Sequence, residues 1–102
     1  MRKKELYREL RLLIIKRVPY GDFGKTTTNI VRELCCYNKE DLLRLGFSAI
    51  EGSLQEIVLR QLHNLAKQGV VLEKLENAGK VRRFQNYSYA VWRQEPQEER
   101  TE

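Results

Sequence analysis

The stretch Gly21-Asp22-Phe23-Gly24-Lys25-Thr26-Thr27-Thr28 brings together two glycines, a lysine and three hydroxyls, between the apolar run LLIIKRV and the helix-like NIVREL. Strand, glycine loop, Lys-Thr and helix are the parts of a loop that wraps a nucleoside triphosphate. The spacing argues against that chemistry. Such a loop reads G-x-x-x-x-G-K-[ST], and the place of its first glycine is taken by Pro19. The loop is two residues short, reading GxxGKT, and lacks backbone N–H groups that would surround a triphosphate. A smaller task remains within reach. A helix that starts near Thr26 directs free N–H groups outward beside Lys25, Thr26 and Thr27, which suits a single phosphate of a nucleic-acid backbone. The same residues equally suit an ordinary capped helix start after a turn.

Other reactive side chains are sparse. His63 is the single histidine, no H-E-x-x-H is present, and no second histidine completes a metal site. Cys35 and Cys36 are adjacent and have no C-x-x-C spacing, so they read as small apolar residues on a helix, with a redox pair or an intermolecular bridge as the alternative. Pairing Cys36 with His63 as nucleophile and base has no local signature behind it. The expectation is a protein without catalysis, metal or cofactor.

Charge is the stronger signal. The last nine residues, QEPQEERTE, hold four Glu and one Arg, so the first 93 residues carry +8 of a chain total of +5. A compact body of that charge attracts polyanions, nucleic acid first, although a merely soluble charged surface has the same composition. No apolar run is long enough to span a membrane, and MRKKELYREL lacks the apolar core of a signal peptide; a cytoplasmic protein is expected.

These side chains need elements to hold them. A length of 102 residues suits one domain, placed at 1–93, with a disordered acidic tail over 94–102. Leu6, Leu10, Leu13 and Ile14 make one stripe of a helix over 3–17, with Lys4, Arg8, Arg11 and Lys16 on the other face. A second helix begins near Thr26 and buries Ile30, Val31 and Leu34. Asn38 can cap a short piece that ends before Gly46. Ser53 and Glu56 have capping-box spacing, and Leu54, Ile57, Val58, Leu62 and Leu65 form the inner face of a third long helix that stops at Gly69. VVLEKLE, a turn at Asn77-Ala78-Gly79-Lys80, and VRRFQNYSYAVW then predict a β-hairpin. Phe84, Tyr87, Tyr89 and Trp92 read as sheet packing; a single-strand binder would instead expose them. The fold class is α+β and mainly helical.

The words IVLRQLHNLAKQGVVLEKLENAGKVRRFQNYSYAVW, with TTTNIVREL before them, resemble the winged helix-turn-helix family over roughly residues 5 to 92. That resemblance implies three main helices, a short inserted helix and a two-stranded hairpin wing. Where the family has a short turn, this sequence has YNKEDLLRLGFSAIEG (37–52). The resemblance further implies that the third long helix enters the major groove of double-stranded DNA. Its outward face holds Gln55, Glu56, Arg60, His63, Asn64 and Lys67. Gln55, Arg60, His63, Asn64 and Lys67 would then be the base contacts, with Leu59 near a thymine methyl. Lys80, Arg82 and Arg83 of the wing would join Lys25, Thr26 and Thr27 on the backbone, and Arg11, Lys16 and Arg17 could extend the basic surface. A transcriptional regulator acting as a homodimer is expected, with Leu12 and Ile15 of the first helix at the contact. The alternative is a protein-interaction or RNA-bound assembly module that uses the 37–52 insertion.

Overall fold

The computed structural model describes residues 2–82 and 85–96, with 77–82 and 85–88 as backbone. The order is α1 (Lys3–Arg17), β1 (Lys25–Thr26), α2 (Thr27–Tyr37), α3 (Lys39–Arg44), α4 (Glu51–Lys67), β2 (Leu72–Arg82) and β3 (Gln85–Arg93). Four helices pack beside one antiparallel sheet with strand order β1-β3-β2. The mainly helical α+β class expected from the sequence is what forms.

Helix α1 buries Leu10 and Ile14 of the predicted stripe completely. It ends where Val18 turns extended ahead of Pro19, because the proline ring crowds a helical residue before it. Thr26 caps α2, its Oγ1 accepting the N–H of Asn29 at 3.2 Å. Ile30, Val31 and Leu34 point into the core from this helix. Helices α3 and α4 each close on a glycine with positive φ, Gly46 at 87° and Gly69 at 76°. At each, the glycine N–H and the following N–H reach back into the last turn, as in Gly69 N to Ala66 O and Val70 N to Leu65 O. The first of these closures folds Phe47 back so that its ring packs 5.8 Å from Tyr7 of α1.

Four expectations are corrected. Helix α4 starts at Glu51 after Ile50, so Ser53 is not a cap; its N–H already donates to Ile50 O. The reason is that Ser48 Oγ holds the Ile50 N–H and starts the helix earlier than the capping-box spacing suggests. The sheet has three strands rather than two, since Lys25 and Thr26 pair with Trp92 and Val91. Nor does the hairpin reverse at Asn77–Lys80. Strand β2 continues to Arg82, opposite Gln85, and the register shifts between Asn77 and Arg82 absorb the Asn-Ala-Gly segment. Gln94 also belongs to the body rather than to a polar tail: its Nε2 donates to Ile15 O and Val18 O, and its backbone bonds Pro19 and Gly21. The rest of the expected tail, from residue 97, lies outside the described residues.

Trp92 sits at the centre of this assembly, wholly buried. Its backbone pairs with Lys25 on one side and Glu73 on the other. Its indole Nε1–H donates to Thr27 Oγ1 at 2.9 Å. The short strand β1 can approach β3 only because Gly24 has no side chain: a Cβ there would lie 2.7 Å from Val91 Cβ and Cγ2. Gly24→Ala should therefore lower stability by about 1–3 kcal/mol. Urea unfolding should register this as a lower midpoint at an unchanged slope.

Candidate nucleic-acid interface

The inner face of α4 is Leu54, Val58, Gln61, Leu62 and Leu65. Glu56, Arg60, His63 and Lys67, the stripe spaced for an outward face, are all exposed. With Leu59 and Asn64 they line a shallow groove of about 340 Å³. A second and larger groove, of about 660 Å³, runs between α1 and α4 and is lined by Lys3, Lys4, Tyr7, Arg8, Arg11, Gln61 and Asn64. Asn64 borders both, so the two form one continuous surface. Together they carry six Lys or Arg and a single carboxylate, Glu56.

Gln61 fixes the larger groove. It is 5% exposed, the one polar residue in the α4 stripe that otherwise seals the core. Its Oε1 accepts a hydrogen bond from Arg11 Nη1 at 3.0 Å, which ties α1 to α4 and holds the guanidinium in the groove. A guanidinium has five N–H donors, so one such bond leaves others free.

His63 lies on the opposite flank of α4. Its ring meets the Trp92 indole edge-on at 5.1 Å, and its Nδ1 is 3.9 Å from Glu73 Oε2 of β2. The sheet thus borders one side of the exposed α4 stripe and α1 the other. Gln55 is turned elsewhere: its amide donates to Thr28 Oγ1 of α2 at 3.4 Å, and it lines neither groove.

The residues expected to hold a backbone phosphate at the start of α2 are occupied within the fold. Thr26 is the cap, and Lys25 pairs with Glu33. Thr27 is buried, with its hydroxyl accepting the Trp92 N–H, which removes it from any surface contact. Arg17 is similarly engaged, donating to Asn38 Oδ1 at 3.0 Å, lying 4.0 Å from Glu33 and stacking 5.0 Å from the Tyr37 ring. Lys80 and Arg82 end β2, where the structure gives backbone only, and Arg83 lies outside the described residues, as does Phe84. Tyr87 is likewise given as backbone, while Tyr89 is exposed.

The sequence placed Lys4, Arg8 and Arg11 on one helix face without a direction for it, and it gave no role to Lys3 or Gln61. The available signal was the i, i+4, i+7, i+11 series Leu54, Val58, Gln61, Leu65, in which one polar side chain occupies a core position.

Neither cysteine is in a disulfide, and burial, followed by Glu51 and Cys36, pushes the Cys35 thiol above its ordinary range. That keeps Cys35 a thiol at neutral pH and a poor nucleophile. Among the described residues no cluster of His, Cys, Asp and Glu is arranged to hold a metal ion, and no helix is long and apolar enough to cross a membrane. Comparison of the chain with protein-family models, with curated proteins and with solved structures finds no match.

The placement of Thr27 makes a sharp prediction. Thr27→Val keeps the shape and leaves the Trp92 N–H without an acceptor, so stability should fall by about 1–3 kcal/mol. Urea unfolding should register the loss as a lower midpoint at an unchanged slope.

Proposed function

We propose that the chain is a small winged-helix protein that binds double-stranded DNA, most simply as a transcriptional regulator in the cytoplasm or on the nucleoid. One observation carries this reading: among the described residues, the cations of the two grooves are left without internal counter-charges. Arg17, Lys25, Arg32, Arg44 and Lys74 each pair with a carboxylate of the chain. Among the described residues none of Lys3, Lys4, Arg8, Arg11, Arg60 and Lys67 does. Unpaired cations gathered on one face are the electrostatic footprint of a polyanion site.

Apart from the short inserted helix α3, the order helix, strand, helix, helix, hairpin, with the short strand added to the hairpin, is the arrangement a winged helix would have. Helix α4 is the element available to a major groove about 12 Å wide. Arg60 can pair the O6 and N7 of guanine, and Asn64 the N6 and N7 of adenine, each worth about 1–3 kcal/mol of discrimination. Lys67 is a further base contact, and the hairpin cations Lys80, Arg82 and Arg83 supply sequence-independent attraction that weakens with salt. A single helix reads a short site, so two copies on paired half-sites are proposed, with Leu12 of α1, 47% exposed, at the contact. Ile15 is half-buried against the core and offers that contact less.

A second reading has its own observation. Tyr37, Leu43 and Ile50, in and beside the inserted segment, are exposed apolar side chains that suit a protein partner. Leu42 of the same segment is spent in the core.

Anisotropy titrations against a pool of duplexes test the primary reading. Arg60→Ala with Asn64→Ala should flatten the preference between sites, and Lys80→Glu with Arg82→Glu should weaken binding to all of them. An unchanged preference in the first variant takes α4 out of the groove. No affinity for any duplex at low salt, together with a retained protein partner, selects the second reading.

A further inference from the structure

Building on the duplex-binding reading, we propose that the groove between α1 and α4 is a phosphate clamp that grips one DNA strand beside the groove-reading helix, on the flank opposite the hairpin. The two flanks of α4 are distinct: Gln61 and Asn64 face α1, whereas His63 meets Trp92 of β3 and Glu73 of β2. A helix lodged in a major groove has a phosphate backbone on each side of it. The hairpin adjoins one flank. The α1 face, with Lys4, Arg8 and Arg11 at i, i+4 and i+7, adjoins the other.

The dimensions and the chemistry fit a strand. Residues 4 to 11 advance about 10 Å along the helix axis. One DNA strand presents a phosphate about every 3.4 Å of duplex axis and winds around that axis as it does so, which sets neighbouring phosphates further apart along the strand, so this length reaches about two. The lining contains no carboxylate. Arg11, held by Gln61, is a pre-set donor in the groove, while Lys4 and Arg8 are exposed and, among the described residues, have no ion pair to break on meeting their phosphates. Asn64 connects the clamp to the base-reading groove, so a strand seated here leads directly to Arg60 and Lys67. The same cations set side by side repel each other in the free protein, and a polyanion relieves that repulsion.

The test is Lys4→Gln with Arg8→Gln in the full chain, against a fluorescein-labelled duplex of random sequence, titrated across salt concentrations. A control, Lys39→Gln with Arg44→Gln, removes the same charge from exposed positions outside both grooves. Thermal melts establish that each variant is folded. Losing two phosphate contacts should make the slope of log K against log salt shallower by about 1.8, with affinity at low salt down about tenfold, while the control keeps the wild-type slope. Wild-type binding with an unaltered slope in the clamp variant overturns the clamp and leaves duplex binding standing. An equal loss in variant and control also overturns it, reducing the effect to diffuse charge. Inorganic pyrophosphate that raises the melting temperature of the wild type but not of the variant, with no change in the duplex slope, assigns the groove to a small anion and overturns the clamp. Absence of duplex binding by the wild type removes both the clamp and the reading it rests on.

Discussion

The arrangement depends on Trp92. Its indole joins three elements: strand β3 by its backbone, the start of α2 through the bond to Thr27, and α4 through the edge contact with His63. Burying a ring of about 200 Å² contributes about 5 kcal/mol as an upper figure. The bond to Thr27 adds direction to that burial, because a buried N–H without an acceptor costs about as much as the net gain of a hydrogen bond or more. The pair therefore sets where the sheet lies against the helices. Gly24 allows the third strand to close on the same residue, and Gln94 anchors the chain just beyond it by two bonds to the end of α1.

A second polar pair organises the opposite flank of α4. Arg11 and Gln61 are separated by 50 positions in the chain, and their bond holds α1 and α4 in one rotational setting. In an apolar interface such a pair specifies one arrangement among several of similar packing quality, since any other leaves the Gln61 amide buried without its partner. The cost of that specificity is modest, because Arg11 remains half-buried in a groove open to water. Trp92–Thr27 on one flank and Arg11–Gln61 on the other thus orient α4, whose outer face carries the exposed Arg60 and Lys67.

Electrostatics divides the surface accordingly. Around Glu33 the cations are consumed: Lys25 and Arg17 share one carboxylate, and Tyr37 and Asn38 complete the set. Around α3 the Asp41 carboxyl is held below its usual range by the Asn38 amide and then by Arg44, so that charge too is satisfied within the chain. The α1 and α4 grooves stand apart from both regions. Net charge alone does not distinguish a protein whose cations are paired from one whose cations face outward, and only the second attracts a polyanion to a defined place.

Local rules determined the helices. The stripe through Leu10, Leu13 and Ile14, the Thr26 cap, and the glycines that end α3 and α4 are short-range features, and each formed where periodicity and backbone preference put it. The outward stripe Glu56, Arg60, His63 and Lys67 was legible for the same reason, since one face of a helix is defined by its own apolar side. Everything that joins distant segments was decided by the tertiary structure. Strand β1 has only two residues and no pattern of its own; it exists because β3 offers it an edge. Thr27 looked like a surface hydroxyl until the indole, 65 positions away, claimed it. The basic face of α1 could be drawn from the sequence, but the groove it forms with Gln61 and Asn64 could not, because neighbours across a core are chosen by packing rather than by spacing along the chain.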